Sequence, residues 1–334
     1  MKCLVTGGTG FTGKALCKRL LDDGHDLTSM DYKEGLKTEE LRSWGADVMI
    51  GSVMDREVLS RCMQGCEVVF HLAAAFRELD VSNDYYRRIN AGGTANVADL
   101  ALKYGVRKLV YCSTCGVHGN IDDPPGGEDA PIQPADYYQQ TKYEGEKEVA
   151  RRADRGLKYT ILRPAAIYGP GDPERFVMIF RGVARGRFPM FGNGKTYYHP
   201  LYIDNLVDAF ILASESGKGD GEAYLIADEE YVEIEDLVRR VARALDVEIR
   251  IPHYPVMPLV IAGHVCEKLC RPFHITPPIF PRRVDWFRQN RAFKIDKAKR
   301  DLGYLPHVGL DEGLRRTAEW YLGEGYIEMP AKGP

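Results

Sequence analysis

The feature that most constrains this chain is at its beginning. Lys2 to Thr6 is a short apolar run, and Thr6-Gly-Gly-Thr-Gly-Phe-Thr-Gly13 follows it directly. Lys14 to Asp23 then places Ala15, Leu16, Leu20 and Leu21 at helical spacing. A strand, a glycine-rich turn and a helix in that order make a nucleotide-binding βα unit. Gly7, Gly10 and Gly13 let backbone approach a pyrophosphate and aim the helix N-terminus at it. The second strand, Asp26 to Met30, ends at Asp31, about 20 residues past the glycines. A carboxylate there accepts both hydroxyls of a ribose and repels a 2′-phosphate, which favours NAD over NADP.

Strand and helix keep alternating. Asp47 to Ile50 and Glu67 to His71 read as strands around a helix at Asp55 to Met63, and His71-Leu-Ala-Ala-Ala75 follows. Small residues there let a flat cofactor lie close to the chain, and His71 reads as a satisfied structural histidine. Tyr85 to Tyr104 reads as one long helix, Lys108 to Cys112 as a strand, and Asp122 to Pro134 as a Pro/Gly-rich surface loop. Tyr159-Thr-Ile-Leu-Arg-Pro164 is a further strand. Six rounds of alternation predict an α/β fold, a Rossmann doubly wound parallel sheet.

Tyr138 and Lys142 stand one turn apart in Pro134 to Glu146, which reads as the start of a helix. A phenol is a poor acid or base near neutrality, and an adjacent ammonium favours its ionised form. The pair therefore suits proton exchange with a hydroxyl. Tyr143 and Lys147 share the same spacing, so spacing alone does not choose between them. Thr114, after the Lys108–Cys112 strand, lies where ligands bind in an open α/β sheet.

Composition sets limits. The chain has 334 residues, 28% charged, with net charge −3 and no long like-charge run, so nothing marks a nucleic-acid footprint. A chain this long needs no disulfide framework for its eight cysteines. Cys62/Cys66 and Cys266/Cys270 read as buried small hydrophobes. Cys112-Ser-Thr-Cys115 lacks a second cysteine or histidine pair, which argues against zinc. Met1 leads straight into the first strand and no run spans a bilayer, so a cytoplasmic enzyme without an integral membrane segment is expected.

Together these residues resemble the extended short-chain dehydrogenase/reductases, the NAD-dependent epimerase/dehydratase group. The matching motifs, in order, are Gly7/Gly10/Gly13, His71-Leu-Ala-Ala, Asn90 with Gly-Thr-x-Asn96, Ser113-Thr114 before Val117-His-Gly, and Pro134-x3-Tyr138-x2-Thr-Lys142. Leu162-Arg-Pro, Tyr168-Gly-Pro-Gly and Tyr202-Ile-Asp-Asn-Leu-Val-Asp-Ala extend the match over nearly the whole chain. The resemblance selects Tyr138/Lys142 over Tyr143/Lys147. It implies Tyr138 as acid/base, Lys142 on the nicotinamide ribose, Thr114 on the substrate oxygen and Asn90 as support for the lysine or the site geometry. It places NAD along Gly7, Gly10, Phe11, Thr12, Gly13, Asp31, Ser52, Val53, Leu72, Ala73, Ala74, Ser113, Tyr138, Lys142, Pro164 and Ile167. Phe76, Cys115, Ala166, Tyr198 and Arg283 fall on the substrate side.

Departures from the family pattern concern that side. Ser52 replaces an aspartate at the adenine edge, and His118 replaces the tyrosine of Val-Tyr-Gly. Ala166 and Tyr198 replace an asparagine and an arginine that hold a sugar nucleotide's diphosphate, leaving Arg283 as a phosphate contact. A diphosphate wants charge-assisted donors, so their loss argues against a nucleotide sugar. Ile279 to Tyr304 resembles the closing part of the 3β-hydroxysteroid dehydrogenase branch. Ile251 to Pro281 is apolar and proline-rich, which reads as a core helix with flanking loops or as a wall, lid or membrane-touching surface for an apolar substrate.

The expected organisation is an NAD-binding domain over 1–165 and a smaller, mainly C-terminal substrate domain over 166–334, with 201–227 returning to the first. The expected activity is hydride transfer between a secondary alcohol or ketone and NAD, without a metal. A nucleotide-sugar 4-epimerase is the alternative, since it shares the first oxidation step. A dehydratase is disfavoured because Cys115-Gly116, not Asp-Glu, follow Thr114. A catalytically dead regulator of the same fold is disfavoured by the Tyr/Lys pair. The resemblance also implies a homodimer through the helices at Tyr85–Tyr104 and Pro134–Arg152.

Overall fold

The computed structural model describes residues 1–34, 36–76, 81–172, 176–215, 217–270 and 284–329. Its centre is a parallel sheet of β1 (Lys2–Thr6), β2 (Asp26–Asp31), β3 (Asp47–Ile50), β4 (Val68–His71), β5 (Lys108–Cys112), β6 (Tyr159–Pro164) and a seventh strand, Glu222–Ile226. The order across the sheet is β3-β2-β1-β4-β5-β6 and then the seventh strand. Thr6 at the end of β1 therefore has Met30 of β2 on one side and His71 of β4 on the other. The strand order reverses here, and the crevice beyond the carboxyl ends is where such sheets bind ligands.

Burial on both faces explains the continuous apolar strands. Cys3 and Val5 join a core with Leu16, Leu20, Leu206 and Phe210, whereas Leu4 between them joins one with Leu59, Val97 and Val149. Each such side chain contributes roughly 1.5–3 kcal/mol when fully buried. A third core gathers Tyr168, Phe176, Phe180, Leu237, Val241, Leu314 and Tyr321. Its helices are Val177–Ala184, Ile234–Ala244 and Leu310–Gly323.

Four elements depart from the sequence expectation. The long helix begins at Asn83, where Ser82 accepts the Tyr85 N–H, and it widens into a π turn over Arg88–Gly93 before continuing as Thr94–Lys103. Leu36–Ser43 and Asp296–Leu302 are helices that the apolar pattern did not announce. Val256–Cys270 is helical but not a core helix, since Met257, Ile261, Val265 and Leu269 are 59%, 59%, 51% and 64% exposed. That segment is apolar nearly all round, so its sequence carries no sign of which face is covered. Cys266 and Cys270 are half-buried there, unlike the buried Cys62 and Cys66.

Asp228, just beyond the seventh strand, ties the two halves together. Its carboxylate accepts the Tyr202 N–H and the Asn205 Nδ2–H, while Asn205 Oδ1 accepts the N–H groups of His307 and Val308. Burial pushes the Asp228 carboxyl up to about 7. Its folded-state value lies above the unfolded one, so its favourable contribution is complete below pH ~4 and is lost as pH rises through ~7. Between pH 7.5 and 5.5 the native chain should gain about 1–2 kcal/mol from this group. Urea unfolding of wild type and Asp228→Asn at both pH values checks this: the difference between the proteins should widen by that amount, and an unchanged difference contradicts it.

Candidate active site

The floor of the crevice is made by glycine. Gly7 has φ +76°, and a Cβ there would lie 2.8 Å from the Ala73 nitrogen. A Cβ on Gly13 would lie 2.1 Å from the Gly7 carbonyl oxygen. The turns after β1 and β4 thus touch through bare backbone, and the Phe11–Asp22 helix starts as close to the turn as sterics permit. Phe11 packs on the third core. Asp31 is aimed back over this turn: the Thr9 N–H and hydroxyl both donate to Oδ2, and the Tyr32 N–H donates to Oδ1 at 2.8 Å. An acceptor-only group at the end of β2 beside a helix N-terminus matches an adenosine ribose next to a pyrophosphate. Ser52 beyond β3 accepts the Met54 N–H, and Val53 is buried beneath it. These residues fit NAD, with no Asp at the adenine edge.

Leu72, Ala73 and Ala74 run half-buried from β4 across the crevice. Asn90, in the π turn, is fully buried and fixes that run to the next element. Its Oδ1 accepts the Ala75 N–H at 2.8 Å, and its Nδ2 donates to Ala75 O and, at 3.0 Å, to Thr141 Oγ1. Asn90 is a positioning residue, and Thr141 is a partner that the sequence did not single out. π turns are often found at functional sites, where they re-aim a side chain.

The Tyr137–Ala150 helix is capped by Asp136, which accepts the Gln139 N–H. It lies close against the π turn because Gly145 has no side chain: a Cβ there would lie 2.3 Å from the Tyr111 hydroxyl. Lys142 is therefore driven into the interior, 1% exposed, with its ammonium 4.3 Å from the centre of the Tyr111 ring. Burial lowers its pKa to about 8, with Glu146 opposing the shift. Tyr111 is itself held flat by His71, stacked at 5.4 Å. His71 binds Thr6 and Thr94 through its two ring nitrogens, and burial holds it neutral, its pKa lowered to about 3. Tyr138, one turn before Lys142, is half-buried with its ring 4.8 Å from that of Phe76.

The remaining walls come from three strand ends. Ser113 and Thr114 follow β5. The Ser113 hydroxyl donates to Glu146, whereas Thr114 is half-buried and its oxygen accepts the Gly116 N–H at 3.1 Å. Cys115 is buried in the turn that follows. Pro164 closes β6, and Ala166 and Ile167 pair with Pro200 and Leu201 beside it. Tyr198 stands among Phe176 and Trp286, at 6.2 and 5.9 Å between ring centres. Trp286 continues to Phe287 and Phe191, so an aromatic cluster extends from Tyr198. Arg283 lies outside the described residues.

Comparisons with known proteins bear on the family. The model of the NAD dependent epimerase/dehydratase family matches residues 3–227. A 3beta-hydroxysteroid-dehydrogenase/decarboxylase of Arabidopsis thaliana is 30% identical over 95% of this chain and 79% of its own length. A 2-alkyl-3-oxoalkanoate reductase of Stenotrophomonas maltophilia is 30% identical over 95% of this chain and 98% of its own. The crystal structure of a UDP-glucose 4-epimerase with UDP-glucose from Thermotoga maritima superposes with a TM-score of 0.80, at 28% identity, over 97% of this chain and 99% of that one. The chain belongs to the NAD-dependent epimerase/dehydratase family and is an NAD-dependent oxidoreductase of the extended short-chain type.

Proposed function

We propose that the enzyme interconverts a secondary alcohol and its ketone on an apolar substrate of the hydroxysteroid kind. The observation that carries the chemistry is Lys142, buried on the Tyr111 ring one turn from the half-exposed Tyr138. NAD, when bound, supplies the hydride acceptor. The chain handles the proton. Tyr138 as phenolate takes it from the substrate hydroxyl, and as phenol returns it to the ketone oxygen in the reverse direction. Lys142 supplies the positive charge that favours the phenolate, and its Tyr111 seat holds it there without a carboxylate to neutralise it in contact. The Gly116 N–H orients the Thr114 oxygen and leaves its O–H for the substrate oxygen.

The aromatic surface around Tyr198 and the apolar Ala166 support an apolar substrate, as do two relatives named for a hydroxysteroid and an alkyl-oxoalkanoate. A sugar-nucleotide 4-epimerase is the second reading, favoured by the likeness to the Thermotoga maritima enzyme. No helix among the described residues is long and apolar enough to cross a membrane. We place the enzyme in the cytoplasm as a homodimer paired through the Thr94–Lys103 and Tyr137–Ala150 helices.

Tyr138→Phe should lower turnover at least ~10²-fold, the low end for a lost general acid or base, when reduced nicotinamide is followed by absorbance. Near-wild-type turnover would sink the assignment. Calorimetric titration with NAD present should show a 3β-hydroxysteroid binding and a UDP-hexose failing to bind. The reverse result, with retained NAD and no net redox change, selects the epimerase. Light scattering at micromolar concentration should report twice the chain mass of 37.6 kDa, and a single chain mass contradicts the dimer.

A further inference from the structure

Beneath the proton-transfer site lies a chain of buried polar groups that the chemistry above does not use. Ser113, Glu146, Arg163 and His118 are 3%, 4%, 7% and 1% exposed. Arg163 grips Glu146 with two bonds, Nε to Oε1 at 3.0 Å and Nη2 to Oε2 at 2.6 Å. Its third nitrogen, Nη1, is 3.1 Å from His118 Nε2. Ser113 donates its hydroxyl to Glu146 Oε1.

Chemistry fixes the direction of every bond. A guanidinium only donates, so His118 Nε2 must accept. The proton of His118 is then on Nδ1, which donates to Ala130 O at 3.0 Å. A carboxylate only accepts, so the Ser113 hydroxyl must donate. Burial and the Arg163 charge lower the His118 pKa, in keeping with this neutral tautomer. The groups facing His118 are Arg163 on β6, Glu146 on the Tyr137–Ala150 helix and the carbonyls of Ala130 and Pro131. The planar fork of arginine leaves its partners little angular freedom.

Each member belongs to an element that carries a residue of the site. Glu146 is one turn after Lys142 and two turns after Tyr138 on the same helix. Arg163 precedes Pro164 at the end of β6. Ser113 precedes Thr114, and His118 ends the Cys115–His118 turn that follows it. Thr114 is thus bracketed: the residue before it and the end of its turn are both tied to one ion pair. Buried ion pairs are poor stabilisers compared with apolar packing, so their value here lies in geometry.

We propose that Ser113, Glu146, Arg163 and His118 form a positioning unit that holds Thr114 in register with Tyr138 and Lys142. This rests on the acid/base reading of Tyr138. The unit acts on the alignment of the reacting hydroxyl and leaves cofactor binding alone.

Ser113→Ala removes one bond and leaves the Glu146–Arg163 pair intact. With the intact enzyme, NAD and the alcohol that it turns over, kcat should fall about tenfold or more, as a sub-ångström misplacement of a reacting group does. The NAD Kd should stay within about twofold and the melting temperature within a few degrees. His118→Leu should lower kcat similarly. His118→Gln, whose amide oxygen can take the Arg163 N–H and whose NH2 can reach Ala130 O, should restore most of it. A merely structural role would follow melting temperature and show no such rescue. Wild-type kcat in Ser113→Ala, or a loss seen only in NAD affinity, overturns the positioning unit and returns the hydroxyl to the cofactor. Full turnover in Tyr138→Phe overturns the acid/base assignment, and this proposal with it.

Discussion

Everything at the crevice depends on the burial of one ammonium. Moving a charge from water into a protein interior costs several kcal/mol unless neighbouring groups offset it. For Lys142 the offset comes from the face of Tyr111 and the nearby charge of Glu146. The Tyr111 contact requires the helix to lie very close to β5, and Gly145 is what admits it. Tyr138 lies one turn before the lysine on the same helix and is half-exposed. Tyr111 is in turn kept in place by His71, whose two ring nitrogens are taken by Thr6 and Thr94. A chain of neutral groups thus runs from the glycine turn to the lysine.

The same logic explains why so much polarity is buried under a parallel sheet. Asn90 joins the run after β4 to the Tyr138 helix, and the Glu146–Arg163 pair joins that helix to β5 and β6. Apolar packing alone tolerates small shifts, whereas directional bonds among buried groups do not. A reaction that needs a hydroxyl within hydrogen-bond reach of Tyr138 and Thr114 needs that intolerance. The aromatic cluster around Tyr198 is built differently. Tyr198 meets Phe176 and Trp286, and Phe287 meets Trp286 and Phe191, edge to face or tilted.

The cofactor turn and the Asp31 position were legible in the sequence because each depends on residues close in the chain, whereas the choice of Tyr138/Lys142 over Tyr143/Lys147 came from the family resemblance. A glycine turn between a strand and a helix has few conformations, and i, i+4 spacing on a helix has one geometry. Asn90 was legible as a site residue but its partners were not, since Thr141 lies 51 residues away and the π turn that aims it leaves no periodic signature. Ser113 read as a cofactor contact through the family resemblance. Only the fold shows that Glu146 takes its hydroxyl. Ile251 to Pro281 read as a core helix with flanking loops or as a wall, lid or membrane-touching surface; in its described part, the Val256–Cys270 helix, Met257, Ile261, Val265 and Leu269 are exposed.

The sequence by itself determined the order of strands and helices, the nucleotide turn and the candidate acid/base, all of which are local in chain distance. Tertiary structure decided which groups are buried against which. It made Lys142 an interior cation, His71 and His118 neutral acceptors and donors, and Asp228 a carboxyl pushed up to about 7. Those properties arise from desolvation and from partners brought together by the crossovers of a parallel sheet, and neither quantity is written in the spacing of residues along the chain.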